Sequence, residues 1–156
     1  MKRKFVLFCL LCTFAAKSLI AKNDPGNTAA YNTVINDYIS CHMSADGKKL
    51  NRLLHDDASF KIPRGEKVMV QNKSNLVAQM RREAGIQQNC ASDYELLAES
   101  DALVIARVDF TYGSTTQSNY LIIEKNADKE WKITQVCKFF KDPQKNSSPV
   151  TANNPL

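Results

Sequence analysis

No glycine-rich phosphate loop and no G-x-S-x-G turn occurs in this sequence, so it offers neither a P-loop nucleotide site nor an α/β-hydrolase nucleophile. Its cysteine and histidine spacings fit no zinc motif. No apolar run is long enough to cross a bilayer as a helix. There are no internal repeats, which sets aside solenoids and propellers. Tryptophan occurs once, at Trp131, and histidine twice, at His42 and His55, so any histidine chemistry must rest on very few residues.

Basic charge is also scarcer than it first looks. The chain carries 21 Lys+Arg against 16 Asp+Glu, a formal +5. Lys2, Arg3 and Lys4 open the chain, and "FVLFCLLCTFAA" follows, an apolar run of about a dozen residues. That order is a secretory signal peptide, cut after Ala21 ("SLIA") or after Ser18 ("AKS"). Taking 1–21 as the signal removes Lys2, Arg3, Lys4 and Lys17, leaving 17 basic against 16 acidic residues, or +1. The basic balance is thus mostly a targeting feature, and a nucleic-acid partner is not expected. The expected location is exported, periplasmic or extracellular. Cys9 and Cys12 leave with the signal and lack the small-residue context of a lipoprotein cysteine, so no membrane anchor is expected afterwards. Cys41, Cys90 and Cys137 remain, enough for one disulfide and a free thiol or for three buried thiols.

What is present is one domain's worth of alternating patterns. Residues 22–27 read as a linker, with Asn27 or Thr28 as the cap of a first helix. Tyr31, Val34, Ile35, Tyr38 and His42 then recur at steps of three and four, one helical face. A break near Gly47 leads to a short helix with Leu50, Leu53 and Leu54, and Asp56-Asp57 is expected to turn the chain. "ASFKI" reads as a strand stopped by Pro63, returning through Arg64-Gly65 as "KVMV". Ser74 is the expected cap of a third helix, with Leu76, Val77, Met80 and Ala84 on its apolar face and Gly85 at its exit. From Cys90 onward, "DYELLAES", "ALVIARVDFTYG", "SNYLIIEKN" and "EWKITQVCKFF" are four strands of a meander. Residues 141–156 are polar and proline-containing, a tail expected to be disordered. Helices first and strands after predict an α+β fold, three N-terminal helices packed on a curved antiparallel sheet over residues 28–140. Such a sheet wrapped on a helix makes a half-open cone, the natural pocket. Trp131, beside the last turn, is expected to seal sheet against helix.

The pattern resembles the cystatin-like cone of the nuclear transport factor two-like and SnoaL-like superfamily. "YNTVINDYISCHMSADGKKLNRLLHDDASFKIPRG" is similar to its opening helix–helix–strand, and "SNYLIIEKNADKEWKITQVCKFF" to the closing hairpin of its putative lumazine-binding branch. The resemblance implies fold more than activity, because this fold hosts many chemistries. Compared with ketosteroid isomerases of the superfamily, Tyr38 matches the oxyanion-hole tyrosine. The general-base position holds Ile62, and the second donor falls near Leu121, or Tyr120 or Asn119 after a slip, so both carboxyl groups are missing. The superfamily also implies a homodimer through the outer sheet face.

Strand alternation puts Val104, Ala106, Val108, Phe110 and Tyr112 on the cone side, and Leu103, Ile105, Arg107, Asp109 and Thr111 on the back. Tyr38 and His42, four apart, share a helical face. The expected function is therefore an exported protein that binds a small apolar or aromatic molecule at Tyr38, His42, Val108, Phe110 and Tyr112, with no complete catalytic set. No motif requires a cofactor or a metal; "HDD" at His55 to Asp57 reads as a solvated helix exit. The alternatives are a lyase- or isomerase-like enzyme working through Tyr38 and His42, and a dimerising adaptor that uses the sheet back.

Overall fold

The computed structural model describes residues 25–141. The expected signal peptide 1–21, residues 22–24 of the expected linker and residues 142–156 of the expected tail lie outside the described residues. Helix α1 (Pro25–Ser44) comes first, then α2 (Gly47–Leu53), β1 (Leu54–Arg64), β2 (Lys67–Asn72) and α3 (Lys73–Arg82). Strands β3 (Ala91–Glu99), β4 (Leu103–Tyr112), β5 (Thr115–Lys125) and β6 (Trp131–Lys141) follow. The six strands form one sheet in the order β2-β1-β6-β5-β4-β3. The α+β cone is thus present, with one correction: β1 and β6 run parallel, so the sheet is mixed rather than antiparallel throughout. The β1–β2 hairpin and the β3–β6 meander are each antiparallel and join edge to edge with β1 and β6 pointing the same way.

The closing hairpin stands in the middle of the sheet, and its inner residues Leu121, Ile123, Ile133 and Val136 are fully buried. α1 lays Tyr31, Val34, Ile35, Tyr38 and Cys41 on this face. Trp131 closes one end, edge-on to Tyr31 at 5.6 Å, with Lys125 Nζ 4.9 Å above its ring. Tyr31 also donates its hydroxyl hydrogen to Glu99. Register shifts interrupt β1–β6 between Leu54 and Ser59, β3–β4 between Leu96 and Ala98, and β5–β6 between Ile122 and Ile123. Each irregularity bends its strand.

Several local expectations shift. α1 starts at Pro25, where a missing N–H is harmless, so Asn27 and Thr28 lie inside the helix instead of capping it. Ala45, at φ 52°, makes the left-handed break, and Gly47 begins α2 under the Asp46 cap. Asp56-Asp57 do not turn the chain: β1 starts at Leu54, and the shift before Ser59 absorbs the irregularity. Pro63 does not stop β1, because pairing with β6 has already ended at Lys61 and no β6 ladder bond is lost there. Asn72, rather than Ser74, caps α3 by accepting from Asn75 N.

Gly47 is needed for contact, not for turning. A Cβ there would meet Arg81 Cγ at 2.7 Å and Arg81 N and Val77 O at 3.1 Å, where α2 crosses α3. Gly47→Ala is expected to destabilise by about 1–3 kcal/mol despite the better helix propensity of alanine. A urea midpoint equal to or above that of the parent would contradict this packing.

Candidate functional site

α1 presents Tyr38 and, one turn later, His42 to the sheet. β4 presents Val108, Phe110 and Tyr112 from the same inner face, as alternation requires. The His42 ring stacks on Phe110 at 3.8 Å, and Tyr38 tilts against the other side of that neighbourhood at 6.5 Å from Phe110. Val108 and Phe110 are fully buried. The deep cone is therefore filled by this aromatic stack, and the open space lies above it.

That space is a cavity of about 240 Å³ lined by His42, Gln79, Met80, Glu83, Gln88, Tyr112, Gln117 and Lys138, with Ala45 and Leu76. Of the five residues expected to bind, His42 and Tyr112 reach it; Tyr38, Val108 and Phe110 lie in the core beneath. Its wall is polar where an apolar one was expected. Glu83, the C-cap of α3, brings in a carboxylate, although its Oε1 already accepts from Gln79 Nε2 at 3.2 Å. β5 turns Gln117 and Asn119 inward, and β6 turns in Lys138, directly opposite Asn119 in the register.

Two hydrogen-bond chains organise the floor. His42 Nε2 and the Tyr112 hydroxyl are 2.6 Å apart, and that hydroxyl lies 3.3 Å from Gln88 Oε1. Beneath, Gln117 Nε2 donates to Asn119 Oδ1 at 3.1 Å, and Asn119 Nδ2 donates to the Tyr38 hydroxyl at 3.0 Å. Tyr38 and His42 thus answer to different partners and converge on no common point, which removes the geometry that an enzyme built on this pair needs. Among the residues compared with the isomerase donor, Asn119 is the one that meets Tyr38, while Leu121 is in the apolar core. Ile62 is buried at the general-base position.

Burial sets the charges. It depresses His42 to about 4, with the positive charge of Lys138 adding to the effect, so the ring is neutral at pH 7. It raises Tyr112 to about 12, helped by the hydrogen bond with Cys90, and raises Tyr38 despite the Asn119 bond. Lys138 is lowered by burial, partly offset by Glu83. Both hydroxyls stay protonated at pH 7; that of Tyr112 donates to Gln88 Oε1, and that of Tyr38 accepts from Asn119 Nδ2.

Elsewhere the candidates are occupied locally. Asp57 N donates to His55 Nδ1 at 3.3 Å, and Asp56 pairs with Lys73 at 2.8 Å, which holds its carboxyl below the usual range. A wider groove of about 560 Å³ runs past His55, Asp56, Lys73, Arg52, Asp128 and Lys132, but Lys132 is taken by Glu130 at 3.1 Å. Cys41, Cys90 and Cys137 are free thiols; burial pushes Cys41 up to about 12, and Cys90 Sγ donates to Met43 Sδ at 3.4 Å. On the sheet back, Arg107 pairs with Glu95 and Asp109 at 3.0 and 3.1 Å, and Tyr120 meets the exposed Phe139 edge-on at 5.5 Å.

Comparison with known proteins agrees with the fold. The sequence model of the family described as "Putative lumazine-binding" matches residues 27–141. No curated protein matches the chain. Among solved structures, a nuclear transport factor two-like protein from Silicibacter pomeroyi is 12% identical. It covers 74% of this chain and 97% of its own, with a TM-score of 0.63. A cystatin-like fold protein from Burkholderia xenovorans is 12% identical over 77% of this chain and 95% of its own, at 0.62. A ketosteroid isomerase-like protein from Erwinia carotovora atroseptica is 15% identical over 74% and 96%, at 0.54. Identities this low speak for the architecture alone.

Proposed function

The chain belongs to the putative lumazine-binding family of nuclear transport factor two-like proteins, and from that premise we propose that it binds one small planar heterocycle of the pteridinedione type without transforming it. The observation that carries this reading is the set of three amides, Gln79, Gln88 and Gln117, around a cavity whose floor is the His42–Phe110 stack. A pteridinedione edge alternates carbonyl oxygens with ring nitrogens. A primary amide offers a donor and an acceptor side by side and matches either. The His42 ring, which lines the cavity, offers the rings a flat partner. At about 240 Å³ the cavity is below the usual ~300–1,000 Å³ of drug-sized pockets, so the ligand has one or two rings and little else.

Catalysis is disfavoured in this reading by the floor itself. His42 is neutral but committed to Tyr112, and no carboxylate orients its other nitrogen among the contacts it makes. The test is a fluorescence titration with lumazine, repeated on Gln88→Leu. Saturable binding to the parent is expected, weakened about tenfold in the variant by the loss of one hydrogen-bonding group. Absence of saturation at millimolar lumazine in the folded parent would end the proposal.

A further inference from the structure

Resting on that pocket, we infer that its ligand is an anion and that the ammonium group of Lys138 is the anchor. Lys138 enters the cavity from β6 at the inner-face row Val108–Asn119–Lys138. It is only part-exposed and makes no hydrogen bond or ion pair with another described residue. Three other described lysines are paired with acids: Lys49 with Asp37, Lys73 with Asp56, Lys132 with Glu130. A part-buried lysine with no acid within ion-pair distance is unusual, because desolvating a charge is recovered only by an opposite charge or by water.

Around Lys138 the wall carries one acid and otherwise neutral groups. Glu83 faces it from the end of α3, His42 from α1, Tyr112 from β4, and the amides of Gln79, Gln88 and Gln117 from α3, the following loop and β5. His42 is neutral and Tyr112 protonated at pH 7. Glu83 is the single acid of the wall and stays beyond ion-pair distance of Lys138, held by Gln79. The space between Glu83 and Lys138 thus has the lysine on one side, the Gln79-bonded carboxyl group of Glu83 on the other, and neutral donors around it. A carboxylate or a deprotonated ring imide fits on the lysine side of that space.

Binding should then depend on pH in one direction. Burial lowers Lys138 below the ordinary lysine value, and a bound anion restores it, so binding takes up a proton wherever the free lysine has lost one. Affinity for an anion is full below the free-site value and falls by up to tenfold per pH unit above it.

The experiment is isothermal calorimetry at pH 6 with lumazine, its 6-carboxyl derivative and benzoate, on the parent, Lys138→Met and Lys138→Arg. The carboxyl derivative is expected to bind the parent at least about tenfold more tightly than lumazine, the weight of one charge-assisted hydrogen bond. Lys138→Met should erase that preference, and Lys138→Arg should keep most of it. Lys138→Met should melt no lower than the parent, since it removes an unpaired charge. Equal affinity of the two pteridinediones for the parent overturns the anion anchor and leaves the heterocycle pocket standing. Benzoate binding that needs Lys138, with neither pteridinedione bound, supports the anchor and overturns the heterocycle. Silence from all three probes overturns both.

Discussion

Phe110→Ala is expected to remove about 3–5 kcal/mol of folding stability, the largest loss of any single substitution on the inner face. Phe110 is fully buried toward the C-terminal end of β4, between Ser92 of β3 and Gln117 of β5, and its ring packs near those of both Tyr38 and His42. Truncation leaves a void bounded by the rigid Tyr38–Asn119 and His42–Tyr112 hydrogen-bonded pairs, which cannot collapse into it without breaking a bond. It also removes the wall between the cavity and the Tyr38 hydroxyl, so water gains access to the floor. Urea denaturation measures the first effect. The return of the His42 titration toward an ordinary histidine value, followed by NMR, measures the second. Phe110→Leu should lose much less and leave His42 depressed. A loss below about 1 kcal/mol in Phe110→Ala would mean that the stack is not the floor of the cone.

That floor also explains what could be read in the sequence and what could not. Alternation in "LVIARVDFTY" placed Val104, Ala106, Val108 and Phe110 inward, and all four are fully buried. Alternation gives the face but not whether it meets space or side chains. The answer depends on His42, 68 residues before Phe110 in the chain, lying flat on that ring. The cavity wall was harder still. Gln79, Glu83, Gln88, Gln117 and Lys138 come from two helical turns, a loop and two strands, and no local spacing groups them. Lys138 is concealed by a specific device. Counting in twos from Trp131 and Ile133 puts Cys137 inside and Lys138 outside. The register shift between Ile122 and Ile123 leaves Thr134 unpaired, so Val136 and Lys138 face inward instead. In the same way, Asp56-Asp57 had turn composition but lie in β1, where Lys73 holds Asp56.

Stability is expected to fall as pH drops from about 6.5 to about 4, by up to roughly 3 kcal/mol from His42 alone. The sign follows from the site. His42 has a folded value near 4 and an ordinary value of 6.5 when released. Above pH 6.5 the ring is neutral in both states and the folded protein carries no penalty. Between the two values the unfolded chain takes up a proton that the folded one refuses, which favours unfolding by up to about 1.4 kcal/mol per pH unit. Below pH 4 both states are protonated and the contribution is fully lost. His42→Gln keeps a hydrogen-bonding group for Tyr112 but has nothing to titrate, so the parent-minus-variant difference in unfolding free energy should shrink over this window. The carboxyl groups are the same in both proteins, so their contributions cancel. Lys138 gives a second handle, because its charge is the smaller of the two causes of the depression. Lys138→Met should move the His42 midpoint upward by less than the full shift, leaving the part due to burial. If it leaves the midpoint where it was, the two side chains do not face each other across the cavity, and the anion anchor loses its geometry as well.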